Sequence, residues 1–308
     1  MHKEVGILLK KGVIFLLPIV AWACIVIAVD PFNYFNISNL ISTNAKEKSA
    51  QQLNSLLYNT VNFKNNPTNS IIIGDSRIRK LPTERIKELT GDGYYSMYSN
   101  AAKLNEIIDL FWFCTSHADL KNVLIGINFN LFNEYAYANR VADVKELIEN
   151  PFIYIFNSNT AETVYLSLKN ELFGIKEKQP KDRDKWWEYN IQTVAKNHYS
   201  KYKYPEDVLA RLQEMNDYCN EHKINLKLLI VPIHQEFHKR LVDYELSSEE
   251  ERFKNDISAI GSVIDFDYPN SITNNKACFG DPLHTTDSVS RIIVNEIFSD
   301  SLVIGRKL

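Results

Sequence analysis

From residue 70 onward, short apolar runs alternate with longer stretches in which apolar residues recur every three or four positions, the mark of strands followed by helices. Ser70 to Gly74 (SIIIG), Tyr94 to Tyr98, Val123 to Phe129 (VLIGINF), Leu226 to Val231 (LKLLIV) and Val263 to Phe266 read as five strands. The runs are short and apolar, as a parallel sheet buried on both faces requires. Helices are predicted over Thr83 to Leu89, with Pro82 at the start, and over Leu104 to Cys114. Further helices are predicted from Pro205 (PEDVLARLQEMNDYCNEHK), over Ser247 to Ile260 and over Thr286 to Phe298. In the last, Val289, Ile292, Ile293 and Ile297 form one apolar face. Residues 131 to 203 are aromatic-rich and mostly helical in pattern, with a charged loop (KEKQPKDRDK) before Trp186-Trp187. They read as an elaboration over the sheet. The alternation predicts an α/β fold, a three-layer doubly wound parallel sheet, with its active site at the carboxyl ends of the strands.

The N-terminal pattern is different. Gly12 to Val29 (GVIFLLPIVAWACIVIAV) is an uncharged apolar run of 18 residues, enough to span a bilayer as a helix. Lys3, Lys10 and Lys11 precede it and Asp30-Pro31 ends it, so the lysine bias places the N-terminus in the cytoplasm and the rest of the chain outside. Ala21-Trp22-Ala23 resembles a signal-peptidase site, but apolar residues continue after it, and Trp22 spoils a lipoprotein site at Cys24. The expected organisation is an uncleaved transmembrane anchor over 1–30, a stalk with one amphipathic turn or short helix over 31–69, and an α/β domain over 70–308.

A net charge of −3 and the lack of any basic stripe argue against a nucleic-acid partner. Cys24, Cys114, Cys219 and Cys278 are far apart with no C-x-x-C pair, which argues against a disulfide scaffold or zinc site. Buried free thiols are the expectation.

Polar clusters fall just after predicted strand ends. Gly74-Asp75-Ser76 follows the first strand, Gly126-Ile127-Asn128 ends the third, and Asp281-Pro282-Leu283-His284 follows the fifth. A serine hydroxyl becomes a useful nucleophile when an imidazole takes its proton and a carboxylate fixes the imidazole's tautomer. Ser76, His284 and Asp281 are therefore the candidate triad. Asn128 and the backbone N–H of Ser76 are candidate donors to a developing oxyanion. Each cluster alone is an ordinary turn, loop or helix cap; their joint order gives the reading its weight. His238 to Asp243 has H-x4-D spacing but lies in a charged helical pattern and reads as surface. His234 and His238 read as solvated loop histidines near the cleft rim; His117, His198 and His222 have no ligand-like partners nearby. Trp186-Trp187-Glu188-Tyr189 suits stacking on a sugar ring or, more commonly, burial.

These blocks resemble the SGNH/GDSL hydrolase superfamily over roughly residues 70–130 and 225–300. The resemblance implies the nucleophile at Ser76, an oxyanion contribution from Asn128, and the base pair at Asp281 and His284. The family's second block supplies a glycine N–H to the oxyanion hole. Here that stretch is Tyr98-Ser99-Asn100-Ala101-Ala102-Lys103, without glycine, so the backbone of Ala101 or Ala102 is the substitute. With the anchor, the chain resembles membrane-tethered members that modify surface polymers, such as the teichoic-acid D-alanylation protein and alginate O-acetyltransferase components. That implies O-acyl transfer, above all O-acetyl transfer, to a cell-surface polysaccharide, with a multispanning membrane partner delivering the acyl group. A carbohydrate or lipid esterase, and a silent glycan-binding scaffold, are the competing readings. Triad chemistry of this kind uses no cofactor and no metal.

Overall fold

The computed structural model describes residues 2–175, 182–299 and 301–308, without the side chains of residues 2–10 and 13. Lys3, Lys10 and most of the charged loop before Trp186 lie outside the described residues or side chains. The chain divides into two compact units, residues 1–65 with 142–178 and residues 66–141 with 179–308.

The second unit is a mixed α/β structure built on a mainly parallel sheet. Strands β1 (Ser70–Gly74), β2 (Tyr95–Tyr98), β3 (Asn122–Gly126), β4 (Asn225–Ile230) and β5 (Ser262–Asp265) are followed by a hairpin of β6 (Phe279–Asp281) and β7 (His284–Thr285). A last strand, β8 (Arg306–Lys307), lies antiparallel against β5, and the sheet order is β2-β1-β3-β4-β5-β8. All residues of β1 are buried, which accounts for the unbroken SIIIG run. Ile72, Leu124, Leu229 and Ile264 form one core with Ile86, Val289, Ile293 and Ile297 from the helices Thr83–Thr90 and Asp287–Phe298. Ile292 departs from the predicted apolar face and is 39% exposed. The strand predicted to run to Phe129 leaves the sheet at Gly126, where the chain turns into a short 3-10 segment, Phe129–Leu131.

Two glycines shape the carboxyl end of this sheet. A Cβ on Gly126 would sit 2.3 Å from Ile78 Cγ2, and one on Gly74 would sit 2.9 Å from Ile78 Cγ1. The fully buried Ile78 packs directly over both strand ends. Gly126, read from the sequence as part of a chemical block, is explained by this close approach.

The first unit is helical: His2–Val29, Thr43–Asn65, Pro151–Phe156 and Ser158–Phe173. Thr43–Asn65 is helical on both sides of a kink at Asn54 (φ −149°, ψ 80°) and exceeds the single turn or short helix expected of a stalk, with Leu56, Leu57, Val61 and Phe63 buried. The chain leaves His2–Val29 at Asp30, which has φ 43° and accepts the N–H groups of Tyr34 and Asn36 at 2.7 and 2.8 Å. The 131–203 segment is divided between the units at Val141 and again after Lys178. Among the described residues no helix is long and apolar enough to cross a membrane; His2–Val29 contains undescribed side chains.

Candidate active site

The chain turns sharply on leaving β1, with the Ile78 N–H donating to the Asp75 carbonyl at 3.2 Å. The Asp75 carboxylate accepts from the Arg77 backbone N–H at 2.9 Å and from Arg77 Nε at 3.0 Å, and pairs with Nη2 at 2.8 Å. Arg77 Nη1 continues to Asn130 Oδ1 at 2.8 Å. Burial works to raise the Asp75 pKa, but the Arg77 charge and its hydrogen bonds outweigh it and hold the carboxyl below its ordinary value. Asp75 is thus committed to bracing the turn. Ser76, at its apex, is left with Oγ 2.8 Å from His284 Nε2.

His284 and Asp281 face each other across the β6–β7 hairpin. Asp281 Oδ1 accepts the N–H groups of Leu283 and His284 at 3.0 and 3.1 Å, an Asx-type turn that fixes the carboxylate. His284 Nδ1 lies 2.9 Å from Oδ1 and 3.0 Å from Oδ2. Burial again pushes the Asp281 carboxyl up, and the His284 contacts, the Leu283 N–H and Trp186 bring it below its usual range. An ionised Asp281 holds the imidazole proton on Nδ1 and turns the Nε2 lone pair toward the Ser76 hydroxyl. The structure thus brings together Ser76, His284 and Asp281, which span more than 200 residues of sequence.

The stretch Tyr98 to Lys103, without glycine, runs beside the end of β1 that leads to Ser76. Gly74 pairs with Tyr98 in the parallel register, and the Ser99 N–H donates to the Gly74 carbonyl at 3.2 Å. The Ala102 N–H donates to the Ser99 carbonyl at 3.1 Å, closing a tight turn and removing Ala102 as a free donor. Within that turn Ala101 has φ 53°. The left-handed region costs a non-glycine residue roughly 1–2 kcal/mol, so Ala101 holds a conformation that glycine would take without strain. The N–H groups of Ser76 and Ala101 have no hydrogen-bond partner among the described residues. Asn128 is buried and gives an amide hydrogen to the Val231 carbonyl at 2.7 Å, which leaves its second amide hydrogen uncommitted.

Several residues at this site were not singled out for it by the sequence. Trp186 donates its indole N–H to Asp281 Oδ2 at 3.3 Å and stacks on Tyr189, with centroids 5.1 Å apart. Its helix, Arg183–Tyr189, is tied to the β6 segment by Arg183 Nη2, which donates to the Phe279 carbonyl at 3.0 Å. Trp187 is buried. Arg77 was hidden by its ordinary place beside the serine, and no sequence spacing links it to Asn130. His198, set aside earlier, is pushed down to about 4 by burial and by the Lys103 and Arg77 charges, and is therefore a neutral imidazole.

His234 departs from the solvated reading. It is buried, its ring packs against Trp187 and Phe279, and its Nδ1 accepts the Glu236 N–H at 3.2 Å. His238 is partly buried against Glu250, 3.2 Å from Nε2 to Oε2, rather than lying on the surface.

No family model matches the chain, and no curated protein matches it. A solved structure from Streptococcus pneumonia, provisionally described as a platelet activating factor, is similar at 11% identity over 82% of this chain and 92% of that one, with a TM-score of 0.40. At that score the likeness bears on neither fold nor chemistry.

Proposed function

We propose that this chain is an SGNH-type serine enzyme that moves acyl groups through an acyl-Ser76 intermediate. The observation that carries the reading is the unbroken relay from Asp281 through His284 to Ser76, with contacts of 2.9 and 2.8 Å, at the carboxyl end of a parallel strand. The 2-1-3-4-5 order of the parallel strands supports the doubly wound, flavodoxin-like form of that fold.

Ser76 Oγ attacks the acyl carbonyl carbon while its proton passes to His284 Nε2. The resulting oxyanion takes hydrogen bonds from the N–H groups of Ser76 and Ala101 and from the free amide hydrogen of Asn128. As the intermediate collapses, the ester oxygen leaves with the proton from His284, and the acyl group stays on Ser76. Water or an acceptor hydroxyl then gives its proton to His284, attacks the acyl-serine and releases the hydroxyl of Ser76. Asp281 stabilises the imidazolium in both halves.

We read the physiological acceptor as a hydroxyl of a surface glycan, which makes the protein an O-acyltransferase supplied by a multispanning membrane partner. Water as acceptor makes it an esterase. The anchor reading is supported by the 18-residue apolar run and by Ile14, Phe15, Leu16, Leu17 and Val20, whose side chains are more than half exposed along the helix His2–Val29. On this reading the α/β unit lies outside the cytoplasm, and the full chain stays with membranes after an alkaline carbonate wash.

The decisive experiment is Ser76→Ala assayed with p-nitrophenyl acetate. Turnover is expected to fall by at least 10³-fold with thermal stability unchanged. Retained turnover would refute the triad. Label from an acetyl donor appearing on an oligosaccharide, rather than only in free acetate, separates transfer from hydrolysis.

A further inference from the structure

The Ala101 turn does not hold its left-handed conformation unaided. Arg140 reaches it from the start of the helix Arg140–Glu149, donating from Nη1 to the Asn100 carbonyl and from Nη2 to the Ala101 carbonyl, both at 3.2 Å. The same guanidinium is locked in a fork on Glu106, with Nε to Oε1 at 2.8 Å and Nη2 to Oε2 at 2.6 Å. Glu106 is 1% exposed and also accepts the Lys103 N–H at 2.9 Å and the Arg140 N–H at 3.2 Å. One buried carboxylate therefore ties both ends of the clamp. It fixes the residue that leaves the turn, and it aims the guanidinium back at the two carbonyls inside the turn.

In a planar trans peptide the C=O and the following N–H point to opposite sides, so pinning the Asn100 carbonyl turns the Ala101 N–H the other way. Ser99 starts the turn beside Gly74, two residues before Ser76. We infer that Arg140, oriented by Glu106, is a positioning residue that holds the Asn100–Ala101 turn so that the Ala101 N–H faces the oxyanion formed at Ser76. It does from outside what a glycine would permit from within. A lysine at position 140 cannot reproduce this, because only the planar fork serves a carboxylate and two carbonyls together. This inference rests on the acyl-serine reading, but it assigns a function to a residue far from the three triad positions in sequence.

The test is Arg140→Ala in the full chain, with Glu106→Gln as a second variant that keeps the side-chain shape. With p-nitrophenyl acetate, Arg140→Ala should lower kcat by about 10²-fold, the usual loss for one oxyanion donor, while KM stays within threefold. Inhibition by phenylboronic acid, which forms a tetrahedral adduct on the serine, should weaken by a similar factor. Added methylguanidinium should restore part of kcat, and Glu106→Gln should show the same kcat-selective loss to a smaller degree. A kcat unchanged in both variants overturns the inference. So does a loss of kcat without any weakening of the boronate, or one that follows lost folded protein in thermal melts. Failure of the triad itself reads differently: Ser76→Ala would then keep the parent's turnover whatever Arg140 does.

Discussion

At the residue scale, the candidate site is built from groups that hold other groups still. Asp75 braces the turn under Ser76 through Arg77, and Asp281 is fixed by two backbone N–H groups before it meets the imidazole. Trp186 adds one more donor to Asp281 Oδ2. Trp186→Phe keeps most of the ring but deletes that N–H, so kcat for p-nitrophenyl acetate should fall by about 3- to 10-fold, the scale of one ordinary hydrogen bond, since this one is long at 3.3 Å. An unchanged kcat would show that the hairpin alone orients Asp281. Ala101→Gly should stabilise the protein by up to about 1 kcal/mol, because the left-handed φ of 53° loses its Cβ penalty. Urea unfolding measures this; destabilisation would mean the alanine methyl makes a contact worth more than the strain. The meeting of Ser76, His284 and Asp281 was legible in the sequence because Asp281 and His284 share a short segment and Ser76 follows a strand end. The clamp of Arg140 on Glu106 was not, since its members are 34 residues apart and nothing in their spacing pairs them.

At the scale of elements, the strand–helix alternation located all five parallel strands to within a few residues, since a buried parallel strand writes itself as an apolar run. The β6–β7 hairpin was invisible, because two strands of three and two residues carry no periodicity. The 3-10 segment Ile78–Lys80 was likewise silent, although Ile78 explains both Gly74 and Gly126. The kinked helical segment Thr43–Asn65 was masked by polar residues, with asparagines and glutamines between its buried apolar positions. Because Ile78 leaves no room at β3, Gly126→Ala should cost about 1–3 kcal/mol by overpacking. Ile78→Ala removes the Cγ2 that the new methyl would meet, so the double variant should lose less than the sum of the two single losses. Additive losses in a double-mutant cycle would count against a direct contact between the two positions.

For the whole molecule, pH should act on stability from two sides. Asp75 and Asp281 are held below the ordinary carboxylate range, so their stabilising contribution is present above it and is lost as acid protonates them. Asp267 is the opposite case. Burial pushes its carboxyl up to about 6 against the pull of His238 and Lys254, so folding favours the protonated form. That contribution is complete below the ordinary carboxylate range and disappears as the pH rises through about 6. His238 adds to the same limb: burial lowers its pKa, but the Glu250 hydrogen bond and the Asp267 and Glu250 charges raise it on balance. Its charged form therefore stabilises the fold below about 6.5 and loses that contribution above its raised pKa. Together these signs place maximum stability between about pH 4 and 6, with a decline on the alkaline side on the order of a few kcal/mol. Calorimetric melts from pH 3 to 9 test this directly. Asp267→Asn cannot ionise, so its Tm relative to the parent should improve from about pH 4 to about pH 6.5 and level off above that. A parent Tm that climbs over that interval, or a variant whose curve runs parallel to the parent's, would show that Asp267 does not set the alkaline limb.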